Sequence, residues 1–175
     1  MGVSPITRGF VLAGGLSRRY GADKALVDEG GVPAVIARAR VVQGAGLSVC
    51  IVARTARPEL LQFAIPELLE PGSELRHPLL GIAAIGGDDD VFVCPCDAVA
   101  LDVAQVRALC DARALSTDSP LCGVWSAALR RRAADWAGRG GAVRGLVLGA
   151  THLDVGRIGN RNERGADPTT RAPGA

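Results

Sequence analysis

The sequence predicts an α/β fold with a mostly parallel sheet, and two observations carry that reading. Short apolar runs at 10–13, 48–53 and 91–94 have the composition of buried strands, and segments of helical periodicity separate them. The first run leads through a glycine-rich stretch and a helix into the second, an order that favours parallel pairing. With 175 residues, 48% of them apolar, the chain can bury one sizeable core. It is read as one domain over residues 1–165, followed at 166–175 by a polar, proline-bearing tail expected to be disordered.

The first run, 10–13, stops at Gly14-Gly15, where glycine lets the backbone turn sharply. Residues 25–28 read as a brief extended segment before Glu29-Gly30-Gly31 turns the chain. Pro33 suits a helix's first turn, and Val35, Ile36, Ala39 and Val42 recur at helical spacing until Gly44 and Gly46 end the run. After the strand at 48–53, Pro58 opens a short helix through residue 63, and 67–70 is a weak strand closed by Pro71-Gly72. Residues 78–85 read as helix, closed by Gly86-Gly87. The acidic run Asp88-Asp89-Asp90 reads as a solvated loop rather than a metal cluster.

The clearest strand, 91–94, runs into Pro95-Cys96-Asp97, and ligands of parallel sheets gather at the carboxyl ends of strands. Asp97 should therefore lie at the same edge as the glycine loop. Asp102 and Gln105 form a capping pair for a helix that turns Val103, Val106, Leu109 and Cys110 inward. Residues 120–125 read as a strand and 127–136 as a helix, on which Arg130-Arg131-Arg132 reads as wetted surface charge. A short helix from Ala142 and a strand at 151–155 complete the order.

Bulk properties exclude several functions. A net charge of +2, a pI near 8.4 and 3% aromatic residues make neither a nucleic-acid footprint nor a base-stacking platform. No segment reads as a signal peptide or membrane span, so no membrane partner is expected. Five cysteines, at 50, 94, 96, 110 and 122, contain no Cys-x-x-Cys pair; they read as small buried hydrophobes in a reducing, cytoplasmic protein.

Chemistry concentrates after the first strand. Gly14-Gly15, Ser17, Arg18, Arg19, Gly21, Asp23 and Lys24 combine turn glycines with cations, a pattern that suits a polyphosphate. Of the 20 basic residues, 19 are arginine and Lys24 is the one lysine. A compact ammonium placed in such a loop, in a chain that uses arginine everywhere else, points to a specific role. The P-loop pattern fails because Ala25 follows Lys24, and the dinucleotide fingerprint fails at Gly14-Gly15-Leu16. The glycine cluster at 138–141 fails too, since it follows a helical segment. Asp97 can be read as a helix cap or turn residue, or as a carboxylate for a divalent ion on a triphosphate. His77 and His152 have no evident acid/base partner, and His77 faces the site.

The stretch from Leu12 to Lys24 resembles the Leu-Ala-Gly-Gly-x-Ser-x-Arg-Met-Gly-x-Asp-Lys signature of the molybdenum cofactor guanylyltransferases, the MobA-like nucleotidyltransferases. Leu12, Ala13, Gly14, Gly15, Ser17, Arg19, Gly21, Asp23 and Lys24 match it, with Tyr20 in place of methionine. Pro95-Cys96-Asp97 resembles the strand end that carries the family's magnesium ligand, and Glu70 stands where the family has an aspartate near the nucleotide. Pro78-Leu79-Leu80-Gly81 resembles the Gly-Pro-Leu-Ala-Gly turn, with His77 replacing its first glycine. Asn160-Arg161-Asn162 is similar to the Asn-x-Asn motif beside the acceptor, and Pro120-Leu121 to a Pro-Leu pair before a late strand. The likeness spans residues 9–163. Departures are Val52-Ala53-Arg54, where guanylyltransferases often carry a base-reading asparagine, and Val99 in place of a proline.

The resemblance implies a three-layer Rossmann-like sandwich of the nucleotide-diphospho-sugar-transferase type. It also implies transfer of GMP from GTP to molybdenum-molybdopterin, forming molybdopterin guanine dinucleotide and releasing pyrophosphate. Leu12, Ala13, Gly14, Gly15, Lys24, Glu70 and Asp97 would bind the nucleotide, with Arg19, Lys24 and Asp97 catalytic. Asp97 would hold Mg2+, and Asn160 and Asn162 would line the acceptor pocket. GTP and the molybdopterin cofactor are the implied substrates, and molybdoenzymes or cofactor-delivery proteins the implied partners. Two alternatives stay open: a cytidylyl- or other nucleotidyltransferase with another base or acceptor, and a non-catalytic nucleotide-binding module.

Overall fold

A computed structural model describes residues 4–13 and 23–159 of the chain. Its strands are β1 (Arg8–Leu12), β2 (Ser48–Ala53), β3 (Glu67–Leu69), β4 (Val91–Pro95), β5 (Leu115–Ser116), β6 (Gly123–Trp125) and β7 (His152–Leu153). They form one sheet in the order β3-β2-β1-β4-β6-β5-β7. β3, β2, β1 and β4 run parallel, as do β5 and β7, while β6 is antiparallel to β4 and β5. The mostly parallel α/β sheet is thus the one expected.

The pleat sorts the core into two layers, because successive side chains of a strand point to opposite faces. Val11, Ile51, Phe92 and Cys94 join the cluster that holds residues of α1 (Ala34–Gly44) and α3 (Val103–Ala112). Phe10, Leu12, Val52, Val91 and Val93 join the other, with α2 (Pro78–Ala84), α4 (Ala127–Gly138) and α5 (Val143–Leu146). Helices therefore cover both faces, the arrangement a parallel sheet requires.

Register places the site. Leu12 lies opposite both Val52 and Pro95, so the carboxyl ends of β1, β2 and β4 are level. The ladder continues past the strands: Ala13 N donates to Val52 O at 2.8 Å, Cys96 N to Leu12 O at 3.0 Å and Glu70 N to Ala53 O at 2.8 Å. Ala13, Glu70 and the Cys96-Asp97 turn are consequently set along one sheet edge.

The capping pair reads correctly. Asp102 Oδ1 accepts from Gln105 N at 2.8 Å and Gln105 Oε1 accepts from Asp102 N at 3.0 Å, satisfying two N–H groups at the start of α3. Asp102→Ala should cost about 1 kcal/mol of folding stability. Urea denaturation checks it, and an unchanged midpoint would remove the cap's contribution.

Several elements differ from expectation for local reasons. Residues 24–26 form a 3-10 turn instead of opening an extended segment, because the Asp23 side chain accepts from Ala25 N at 3.0 Å. The strand expected at 120–125 begins only at Gly123, since Cys122 N donates to Ser119 O at 2.8 Å and closes a turn. Gly123 has φ +136, and a Cβ there would come within 2.3 Å of Ala114 O, so β6 leaves that turn through a conformation that glycine allows. The strand expected at 151–155 shrinks to β7, where Asp154 Oδ1 accepts from Gly156 N at 2.9 Å and turns the chain.

Arg130 is the largest correction to the surface. It is 2% exposed and donates to Gly87 O at 2.7 Å, Asp89 O at 2.8 Å and Trp125 O at 3.3 Å. It pins the 87–89 loop to α4 and is not wetted charge; Arg131 does stay outside, paired with the exposed Asp88. All five cysteines are free, and burial pushes the Cys94 and Cys96 thiols up to about 12, leaving them protonated and unreactive. Among the described residues no helix is long and apolar enough to cross a membrane.

Candidate functional site

The edge brings Lys24 and Asp97 together. Lys24 Nζ lies 3.5 Å from Asp97 Oδ2, with the side chains 12% and 16% exposed. Asp97 gets there because β4 ends at Pro95 and the next residues form a turn, in which Val99 N donates to Asp97 O at 2.9 Å. Lys24 gets there through the 3-10 turn that Asp23 caps. A lysine that follows β1 and a carboxylate that follows its neighbour β4 meet over the sheet's carboxyl edge, one group suited to phosphate oxygens and the other to a cation.

Two buried arginines stand behind this pair, and sequence reasoning singled out neither. Arg57, 8% exposed, donates through Nη2 to Ala13 O at 2.7 Å and through Nε to Asp23 Oδ2 at 2.9 Å. Arg38, 7% exposed, donates to Ala98 O at 2.7 Å and to Glu29 Oε2 at 2.7 Å. One ties β1 to the Lys24 turn; the other ties α1 to the Asp97 turn. For Arg38 a signal existed, since position 38 falls on the apolar stripe of Val35, Ala39 and Val42. Arg57 carries no such mark.

Glu70 follows β3 at the same edge. Burial pushes its carboxyl above the usual range, while the charges of Arg54 and Arg57 pull it back. A Cβ on Gly81 would come within 2.9 Å of Glu70 Oε1 and 3.3 Å of Val52, so the absent side chain lets α2 lie close over the strand ends. Val52, which stands where a base-reading asparagine would be, is buried in the core, and Arg54 two residues on is turned aside: its guanidinium donates to Leu75 O at 3.0 Å and to Ser73 O.

His77 is a helix cap. Its Nδ1 accepts from Leu79 N at 3.2 Å at the start of α2, which accounts for the residue without an acid/base role. Burial pulls its imidazole below the usual value of 6.5, and only the unprotonated Nδ1 can accept this bond. Because the folded value is the lower one, the cap's stabilisation is complete above about 6.5 and is lost as pH falls through the folded value. His77→Asn, a cap that does not titrate, should lose less thermal stability than the parent between about pH 7.5 and 5.5. Scanning calorimetry reads the two slopes, and equal slopes would contradict it. His152 is exposed and its Nδ1 lies 2.9 Å from Ala150 O.

Leu12 and Ala13 occupy the end of β1 as expected. Gly14, Gly15 and Arg19 of the loop, Asn160 and Asn162, and the tail at 166–175 lie outside the described residues. Among the described residues no group of three or more His, Cys, Asp or Glu side chains could hold a metal ion. A site with a single carboxylate such as Asp97 suits an ion that takes its remaining ligands from phosphate oxygens and water, the habit of Mg2+.

A family model described as the MobA-like NTP transferase domain matches residues 9–151. A nucleotidyl transfer protein of similar fold, a nucleotidyl transferase from Methanothermobacter, superposes with a TM-score of 0.67 at 20% identity, covering 91% of this chain and 93% of that one. Molybdopterin-guanine dinucleotide biosynthesis protein A from Archaeoglobus fulgidus superposes with a TM-score of 0.64 at 15% identity, covering 85% and 82%. No curated protein matches the chain.

Proposed function

We propose, given that this chain belongs to the MobA-like NTP transferase domain family, that it transfers GMP from GTP to the phosphate of a molybdopterin cofactor. The observation that carries the reading is the Lys24–Asp97 pair at the carboxyl edge of the sheet, 3.5 Å apart and largely enclosed. Backbone around Leu12 and Ala13 would seat the nucleotide, with Gly14 and Gly15 following in the sequence, and Glu70 would lie beside it. Lys24 and Arg19 would neutralise the triphosphate. Asn160 and Asn162 would meet the acceptor.

The acceptor's phosphate oxygen forms a bond to the α-phosphorus while the bond to the α,β-bridging oxygen breaks, and pyrophosphate leaves with that oxygen and its electron pair. The attacking oxygen is already ionised, so no general base is required, in keeping with His77 serving as a cap. Lys24 acts by meeting negative charge with a fixed positive one, a stabilisation that grows where water is excluded. Asp97 would hold Mg2+, which when bound supplies a second positive centre for the phosphate oxygens.

A second reading concerns the base. Val52, in the place of the family's asparagine, is buried in the core, and Arg54 beyond it donates to the backbone at Ser73 and Leu75, so neither offers a side-chain amide to guanine. That observation favours a cytidylyl or other nucleotidyl transfer, since a site loses selectivity with the hydrogen bonds that create it. Pyrophosphate release with Mg2+ and a molybdopterin acceptor, compared across GTP, CTP, ATP and UTP, decides. Turnover with GTP above the rest supports the first reading, turnover with another nucleotide supports the second, and binding without turnover points to a non-catalytic module.

A further inference from the structure

Arg57 has a connection that the other buried arginines lack. Its Nε and Nη2 both lie 2.9 Å from Asp23 Oδ2, and the other oxygen of that carboxylate, Oδ1, accepts from Ala25 N at 3.0 Å. One carboxylate is thus shared between a buried guanidinium and the 3-10 turn on which Lys24 sits. Nη2 also donates to Ala13 O, and the Arg57 backbone N–H donates to Glu67 Oε2 at 3.2 Å, which fixes the arginine itself. Among the described residues its buried Nη1 has no hydrogen-bond partner.

That last cost bears on what the residue is for. A buried ion pair with an orphaned donor contributes little net stability, because desolvation offsets the attraction. What a planar fork does supply is direction: with Nε donating to Asp23 Oδ2 and Nη2, ion-paired to the same oxygen, donating to Ala13 O, the carboxylate is held in a single orientation. Here the oriented carboxylate is the cap of the turn that aims Lys24 at Asp97.

We propose that Arg57 is the positioning residue for the Lys24 ammonium: by fixing Asp23 it holds the turn that presents Lys24 to Asp97 and to an anionic substrate. The inference rests on the nucleotidyl-transfer reading for the nature of that substrate, while the placement of Lys24 can be tested without it.

Lys24 is the one lysine in the chain, so an amine-selective acylating reagent, with mass spectrometry of the peptide that contains residue 24, follows it directly. In Arg57→Met, which keeps an apolar stem and removes the fork, the acylation rate of Lys24 should rise at least about twofold, the low end of coupling within one network. Asp97→Asn should raise it too. Arg130→Met removes an equally buried guanidinium at the opposite end of β4 and should lower the melting temperature without moving the rate. Unchanged Lys24 reactivity in folded Arg57→Met, or an equal rise in Arg130→Met, overturns the proposal.

If Arg57→Met does not fold, Asp23→Asn discharges the shared carboxylate with Arg57 in place, and the presence or absence of the same rise decides. The two readings separate cleanly. A wild-type protein that fails to transfer any nucleotide, yet shows the Arg57-dependent change at Lys24, loses the functional reading and keeps the positioning one; transfer with an unmoved Lys24 does the reverse.

Discussion

Asp97→Asn should reduce pyrophosphate release by roughly a thousandfold while leaving the fold in place. Asp97 is the carboxylate that β4 delivers to the edge where Lys24 stands, and its partner across 3.5 Å is a cation, so its charge is not consumed by a structural cap. An amide of the same shape keeps the packing and removes the charge that a divalent ion needs. The stability change should be about 1–3 kcal/mol, small beside the loss of rate, because the amide removes one charge of a largely enclosed pair but keeps the packing. Steady-state rates beside a thermal melt measure both. Full activity in this variant would remove the metal role, and a collapsed melt would return Asp97 to the structural residues.

Lys24→Arg should lose about a hundredfold in kcat/KM although the charge is kept. The ammonium sits 12% exposed on a one-turn 3-10 element whose cap fixes its backbone. A guanidinium is wider and planar, and it would have to displace Asp97 or tilt the turn to fit. Its positive charge would then stand off from the phosphate oxygens it should neutralise. The expected pattern is a fall in kcat with a smaller change in KM, since the charge is most needed where negative charge builds during transfer. An unaffected rate would show that any cation suffices there.

Much of this edge was legible in the sequence. β2 is legible with its full bounds because a run that is apolar except for Ser48 lies between Gly46 and Arg54, and α3 is legible from a cap that announces itself by residue type and spacing. Asp97 can be placed at the same edge as Lys24 from the sequence, because parallel strands with short turns bring their carboxyl ends level.

What escaped had physical reasons too. β5 is two residues long, too short for any alternation to show. In a chain whose cations are almost all arginine, the buried forks at Arg57 and Arg130 look like the solvated ones, and only partners distant in sequence, such as Ala13, Asp23 and Gly87, tell them apart. His77 is similar: a ring in a loop near a site invites chemistry until the N–H it accepts from is seen.

In the proposed function, Lys24 and Asp97 together grip a magnesium-bound nucleoside triphosphate. Calorimetric titration of the protein with GTP, run with Mg2+ and again with a chelator, tests it most directly when repeated on Asp97→Asn. The parent should bind GTP with an affinity that weakens when Mg2+ is removed, and the variant should bind weakly and no longer respond to the metal. Equal, metal-enhanced affinity in parent and variant would contradict it.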